Sequence, residues 1–336
     1  MKAFAYVEPD TLAAATQALA KAGPRARLIA GGVDLLGELK DRLIEPEMVV
    51  NLKSVPGLGA IRVDADQTVR IGALVTLSAL ASHDVVRRAF PAVAEAAESV
   101  ASPEIRNVGT VGGNLCQRPR CWYYRSPLHA CLKKGGSVCF TMSGDSRYHA
   151  ILGGGPSFIV HPSDLAPALI ACEAKVTIAG PAGQREIPLE KLYVLPRVRI
   201  DHETILQPGE IITEVALPAG ASTAAGTVSR YLKFKEKDSF DFALVSVAAA
   251  LRMQGGKVAA ARLVLGAVAP VPWRSKEGET ALVGSTADAA AAARAADAAL
   301  ADADPLPHNG YKVPLAKTLI QRVVLGLAGG ANAGAA

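Results

Sequence analysis

The chain has 336 residues, half of them hydrophobic and a fifth charged, enough for two or three packed units of ordinary globular composition. Its net charge is only +5 and no basic run carries interleaved aromatics, so no nucleic-acid partner is expected. No apolar run approaches the roughly 18 residues that cross a bilayer, and residues 1–9 lack the apolar core of a secretory signal, so neither a membrane span nor an export signal is expected.

Residues 10–22 have helical periodicity, with Asp10 or Thr11 as N-cap. Residues 27–36 run from a short apolar strand through Gly31-Gly32 into a second helix, and residues 48–52 read as another buried strand. Together they predict a small β-α-β-α-β unit ending near Leu52. After the break at residues 56–59, residues 60–63 and 68–72 alternate like a hairpin. Residues 77–100 are helical, with Pro91 starting a new helix. Residues 102–115 form a glycine-punctuated loop, and a cysteine segment follows to residue 148. Strand character resumes at 170–179 and 186–188. Residues 218–222 look like a linker; beyond it come a strand (230–234), a hairpin (243–253 and 258–268) and helices at 287–300 and 311–325. Residues 329–336 are small and are expected to fray.

Two glycine loops invite a ligand. Ala30-Gly31-Gly32-Val33-Asp34 lies where a strand turns into a helix, so backbone N–H groups can approach an anion and the helix start adds a positive dipole end. Thr110-Val111-Gly112-Gly113-Asn114 offers similar backbone plus a hydroxyl and an amide. Neither matches the dinucleotide fingerprint or the P-loop. Taken one at a time, each pair of glycines is more often a tight turn than a phosphate cradle.

Four of the five cysteines fall in one segment, as Cys116-x4-Cys121-x9-Cys131-x7-Cys139. Clustered thiols read as metal or cluster ligands before disulfides. The spacing is too wide for a zinc ribbon, and on spacing alone zinc and iron–sulfur are evenly matched. Trp122, Tyr123, Tyr124, Arg125, Lys133 and Lys134 would shield a cluster and offset its negative charge. Cys172, on an apolar run, is expected in the core. No hydrolytic constellation stands out, so no catalytic side chain is assigned, and His129, His149, His161 and His202 read as loop or surface residues.

Ala30-Gly31-Gly32-Val33-Asp34-Leu35-Leu36, Ile105-Arg106-Asn107 with Thr110-Val111-Gly112-Gly113-Asn114-Leu115, and Pro162-Ser163-Asp164 with Ala168-Leu169 resemble, in order, three motifs of the FAD-binding subunits of the xanthine dehydrogenase and carbon monoxide dehydrogenase family. The resemblance covers nearly the whole chain. It implies an α+β fold: a PCMH-type FAD-binding domain over 1–220, with subdomains 1–53 and 54–220 and a cysteine loop at 116–148, then a C-terminal flavoprotein domain over 221–328 and a tail at 329–336.

The resemblance also implies roles. Ile29, Ala30, Gly31, Gly32, Val33, Asp34, Leu35, Thr110, Gly113 and Asn114 would hold the FAD diphosphate, Asp164 would sit near the adenosine, and Ile212 and Lys233 would lie near the flavin ring. Val33 stands where the family usually has Thr. The cysteine loop resembles that of the periplasmic aldehyde oxidoreductase branch, which carries a [4Fe-4S] cluster. Cys121, Cys131 and Cys139 are then ligands, with Cys116 or Ser157 as the fourth. Partners would be a small subunit with two [2Fe-2S] clusters and a large molybdopterin subunit, in the cytoplasm or in the periplasm by co-export. A stand-alone PCMH-type oxidase and a zinc-holding scaffold are the competing readings.

Overall fold

The computed structural model describes residues 1–329; of the expected tail, residues 330–336 lie outside the described part. Three sheets organise the chain. The first is parallel, ordered β1 (Ala5–Val7), β3 (Met48–Asn51), β2 (Ala26–Ile29). Its crossover helix, Leu12–Ala22, is capped by the Thr11 hydroxyl, which accepts from Ala14 N–H at 3.2 Å. Ala15 and Leu19 on one helix face meet Ala26, Val50 and Leu52 in a small core, as the helical and strand periods require.

The second sheet is antiparallel, ordered β4 (Ile61–Val63), β5 (Val69–Gly72), β8 (Ile211–Leu217), β6 (Lys175–Gly180), β7 (Gly183–Pro188). The helices Pro91–Glu98 and Leu165–Ala171 share the largest core with it, packed on the strands that follow. The third sheet is β12 (Trp273–Arg274), β11 (Lys257–Gly266), β10 (Val245–Gln254), β9 (Thr227–Phe234), also antiparallel. Its two faces serve two cores. Tyr231, Ala248 and Val264 point into the core of the second sheet, while Val247, Ala249, Leu263 and Leu265 face the helices Ala289–Ala299 and Lys312–Ala328. Alternate residues on opposite faces explain why β10 is apolar almost throughout.

The parallel unit, the first hairpin and the C-terminal strands and helices match the sequence expectation, and the α+β class holds. Three local expectations fail. Residues 165–171 are helix, so the strand expected from Ile170 begins only at Lys175; Leu165, Ala168, Leu169 and Ala171 are buried on all sides, and no periodicity marks a helix that is apolar all round. Cys172 therefore ends a helix rather than lying on a strand, although it is fully buried as expected. The stretch 102–115 folds into two short helices, Pro103–Val108 and Val111–Leu115, each started by a capping hydroxyl.

Candidate functional site

The two glycine loops meet back to back. At the first, β2 ends at Ile29, Gly32 takes a left-handed conformation (φ 74°), and a helix begins at Leu35. At the second, the Thr110 hydroxyl accepts from Gly113 N–H at 3.2 Å and starts the helix Val111–Leu115. A Cβ on Gly31 would run into the Val108 carbonyl, and one on Gly112 would press on Ala73. Only glycine permits this approach. Among the described residues, the amides of Gly31, Gly32, Val33 and Asp34 donate to no protein acceptor. Such donors need an external partner, and an anion suits them.

The second loop leads into a cleft of about 310 Å³ lined by His161, Ser163, Asp164, Trp122, Tyr148 and Phe242, among others. Asn114 Oδ1 accepts from the Ser163 hydroxyl at 2.6 Å, which ties loop to cleft wall. Asp164 is buried and accepts from Lys233 Nζ and from the Tyr231 hydroxyl, each at 2.7 Å; Lys233 also donates to Ser99 O at 3.1 Å. Burial, with the neighbouring carboxylate, holds the Tyr231 phenol far above its usual pKa. Asp164 and Lys233, which the resemblance sent toward opposite ends of the nucleotide, thus share one ion pair. Lys233 meets the cleft only through Asp164, and Ile212 is buried in the main core without lining it.

His149 and His161 lie in loops, as read from the sequence, but both are buried. Burial lowers the His161 pKa to about 3, so its ring is neutral. Its Nδ1 accepts from Ser163 N–H at 3.3 Å, while its Nε2 is buried without a partner.

The cysteine segment divides. Cys121, Cys131, Cys139 and Ser157 line one small cavity of about 10 Å³, together with Lys133 and Thr141. Cys116 lies elsewhere, at the end of the helix Val111–Leu115 and packed against the main core; burial raises its thiol pKa to about 12. Of the two candidates for a fourth ligand, the geometry brings Ser157 to the other thiols and leaves Cys116 apart. Among the described residues no group of three or more His, Cys, Asp or Glu is close enough to hold a single metal ion. Three soft thiols and a hydroxyl suit an iron–sulfur cluster by donor type. The space between them does not: about 10 Å³ is room for one water.

Of the bases expected to offset a cluster's charge, Arg125 is paired with Asp34 and Lys133 with Glu203, while Lys134 donates to Ser126 O. Arg120 joins the first pair and Arg118 the second, and the Tyr124 hydroxyl donates to Glu38 at 2.5 Å. Sequence reading missed these pairings. Their one visible signal was the run of arginines flanking Cys121.

Comparison with known proteins bears on all of this. The model of the FAD binding domain in molybdopterin dehydrogenase matches residues 2–220, and that of the CO dehydrogenase flavoprotein C-terminal domain matches 229–327. The chain belongs to the FAD-binding subunits of the molybdenum hydroxylases. Among such flavin subunits it is 37% identical to the aldehyde oxidoreductase FAD-binding subunit PaoB of Escherichia coli, over 96% of this chain and 98% of that one. It is 29% identical to the carbon monoxide dehydrogenase medium chain of Hydrogenophaga pseudoflava, over 96% of each. Among solved structures, quinoline 2-oxidoreductase from Pseudomonas putida 86 superposes with a TM-score of 0.75 at 30% identity, covering 98% of this chain and 99% of that one. The resemblance drawn from the three motifs is therefore right, and an oxidoreductase flavin subunit is the class to which the loops and cleft belong.

Proposed function

We propose that the two glycine loops hold the diphosphate of FAD, that the flavin ring lies in the cleft beside Asp164, and that the chain relays electrons within a heteromeric molybdenum hydroxylase of aldehyde or xanthine type. The observation that carries this is the row of bare amides at Gly31, Gly32, Val33 and Asp34, set against the second loop. FAD supplies two-electron chemistry when bound; the chain supplies position and electrostatics. Ile29, Ala30 and Leu35 frame the first loop, and Thr110, Gly113 and Asn114 form the second. The neutral His161, with its unpartnered Nε2, and the Asp164–Lys233 pair offer polar groups at the cleft wall without adding net charge.

The partners in this reading are a small subunit with two [2Fe-2S] clusters, which delivers electrons, and a large molybdopterin subunit, where substrate is oxidised. The compartment is the cytoplasm, or the periplasm by co-export with a partner; among the described residues no helix is long and apolar enough to cross a membrane. For the thiol cavity we propose a [4Fe-4S] cluster on Cys121, Cys131 and Cys139, with Ser157 as the fourth donor. What supports it is the convergence of these four side chains on one cavity. Loading such a group requires the segment to open, since the cavity has room for one water. Domain limits of 1–220 and 221–328 accompany the proposal.

The test is isolation of the chain with its companion chains, followed by visible spectroscopy and assay of flavin, iron and acid-labile sulfide. FAD bound at one per chain supports the relay. A complex devoid of FAD and unable to take it up would end the reading. Iron and sulfide in excess of what the small subunit holds support the cluster, and their absence removes it while leaving the flavin relay standing.

A further inference from the structure

The carboxylate of Asp34 stands where a helix usually caps itself, yet it makes no capping bond to its own helix. It is turned instead toward the cysteine segment. Its Oδ1 accepts from Arg125 Nη2 at 2.6 Å and forms an ion pair with Arg120 Nη1 at 3.0 Å, and its Oδ2 accepts from the Arg118 backbone N–H at 2.6 Å. Arg125 is itself fixed by bonds to Pro119 O at 2.8 Å and Arg118 O at 3.2 Å, so it meets Asp34 already ordered. Arg120 reaches further, since its guanidinium lies over the Phe242 ring at 5.1 Å and also lines the cleft. One helical turn beyond Asp34, Glu38 takes the Tyr124 hydroxyl.

We propose that Arg120 and Arg125 are positioning residues for FAD: by holding the Asp34 carboxylate and offsetting its charge, they let the first glycine loop accept the diphosphate. This rests on the proposed function above. An uncompensated carboxylate beside a diphosphate repels it, whereas Asp34 with two guanidiniums leaves a net positive charge at the loop. Nothing in the sequence marks the link, because its two sides lie 84 to 91 residues apart.

The test is FAD titration of the deflavinated complex, read by flavin fluorescence, for Arg125→Met, Asp34→Asn and the double variant. Lys134→Met, which loosens the same segment at its bond to Ser126 O, is the control. The single variant Arg125→Met should weaken FAD binding by about tenfold or more. Adding Asp34→Asn should restore part of it, because the freed carboxylate is then gone, and Lys134→Met should bind like the parent. A second readout follows from reciprocity: FAD should slow tryptic cleavage after Arg120 and Arg125 in the parent complex, and less so in Asp34→Asn. Binding by Arg125→Met equal to the parent, or losses that simply add in the double variant, would overturn the proposal. A parent complex that binds no FAD at all would instead overturn the functional reading beneath it.

Discussion

At the residue scale, Gly31 makes the strongest claim. Its Cα lies so close to the Val108 carbonyl that any side chain forces the two loops apart. Gly31→Ala should therefore destabilise the chain by about 1–3 kcal/mol, as overpacking does, and should weaken FAD binding because the amides diverge. Gly59, with open space around it and an ordinary φ, is the matched control and should tolerate alanine in both the denaturation midpoint and the FAD titration. Lys312 makes a second claim. It is fully buried at the start of the helix Lys312–Ala328, its Nζ donates to Ala267 O at 2.8 Å, and burial lowers its pKa to about 7 from 10.5. Between those two values the unfolded chain holds a proton that the folded chain lacks, so this group makes stability rise with pH across that window. Below about pH 7 both states are protonated and the full cost of the buried charge remains. Lys312→Met should accordingly be stabilised relative to the parent most at pH 7 and below, with the gap narrowing toward pH 10. Melting curves showing an equal gap at both ends would mean that the ammonium stays charged in the folded chain.

At the element scale the cysteine segment is a strap, fastened at Asp34 and Glu38 on one side and at Glu203 on the other. Lys133 and Glu203 pair at 2.7 Å with side-chain exposures of 2% and 5%, and removing Lys133 leaves the buried Glu203 carboxylate with Arg118, 3.2 Å away, as its remaining cation. Lys133→Met should cost about 1.5–3 kcal/mol in urea unfolding, the loss of one charged hydrogen bond. Lys175→Met, which breaks an exposed pair with Glu186, should cost no more than about 1 kcal/mol. This contrast shows what the sequence could and could not reveal. The glycine loops were legible because the order of the three motifs was specific, although either glycine pair alone reads more readily as a tight turn. The strap was not legible, because a charged pair depends on which loops fold together and leaves no periodic trace. Cys116 misled for the same reason: proximity in sequence to Cys121 says nothing of the core that claims it, whereas Ser157 reaches the thiol cavity from beyond the segment. The all-apolar helix Leu165–Ala171 misled in another way, since complete burial erases the pattern that separates helix from strand.

At the scale of the whole molecule, the third sheet belongs to two cores at once, and the Asp164–Lys233 pair fastens the helix Leu165–Ala171 to the sheet face turned toward the larger core. Asp164 opens that helix, while Lys233 and Tyr231 lie on one face of β9 in the third sheet. The pair is nearly inaccessible, with side-chain exposures of 4% and 6%. It sits at the back of the cleft in which the flavin is proposed to lie, so the joint between helix and sheet and the wall of the proposed cofactor site are the same few atoms. Lys233→Met should leave Asp164 as a buried carboxylate with only the Tyr231 hydroxyl to satisfy it, at a cost of about 3–5 kcal/mol. Combining it with Asp164→Asn removes the stranded charge while an amide oxygen can still accept from Tyr231. Most of that stability should then return, although FAD affinity, which depends on the polar wall, should not. Denaturant unfolding followed by tryptophan fluorescence, run beside FAD titration, separates the two outcomes. Equal recovery of both would show that Asp164 and Lys233 only join helix to sheet and give the flavin nothing.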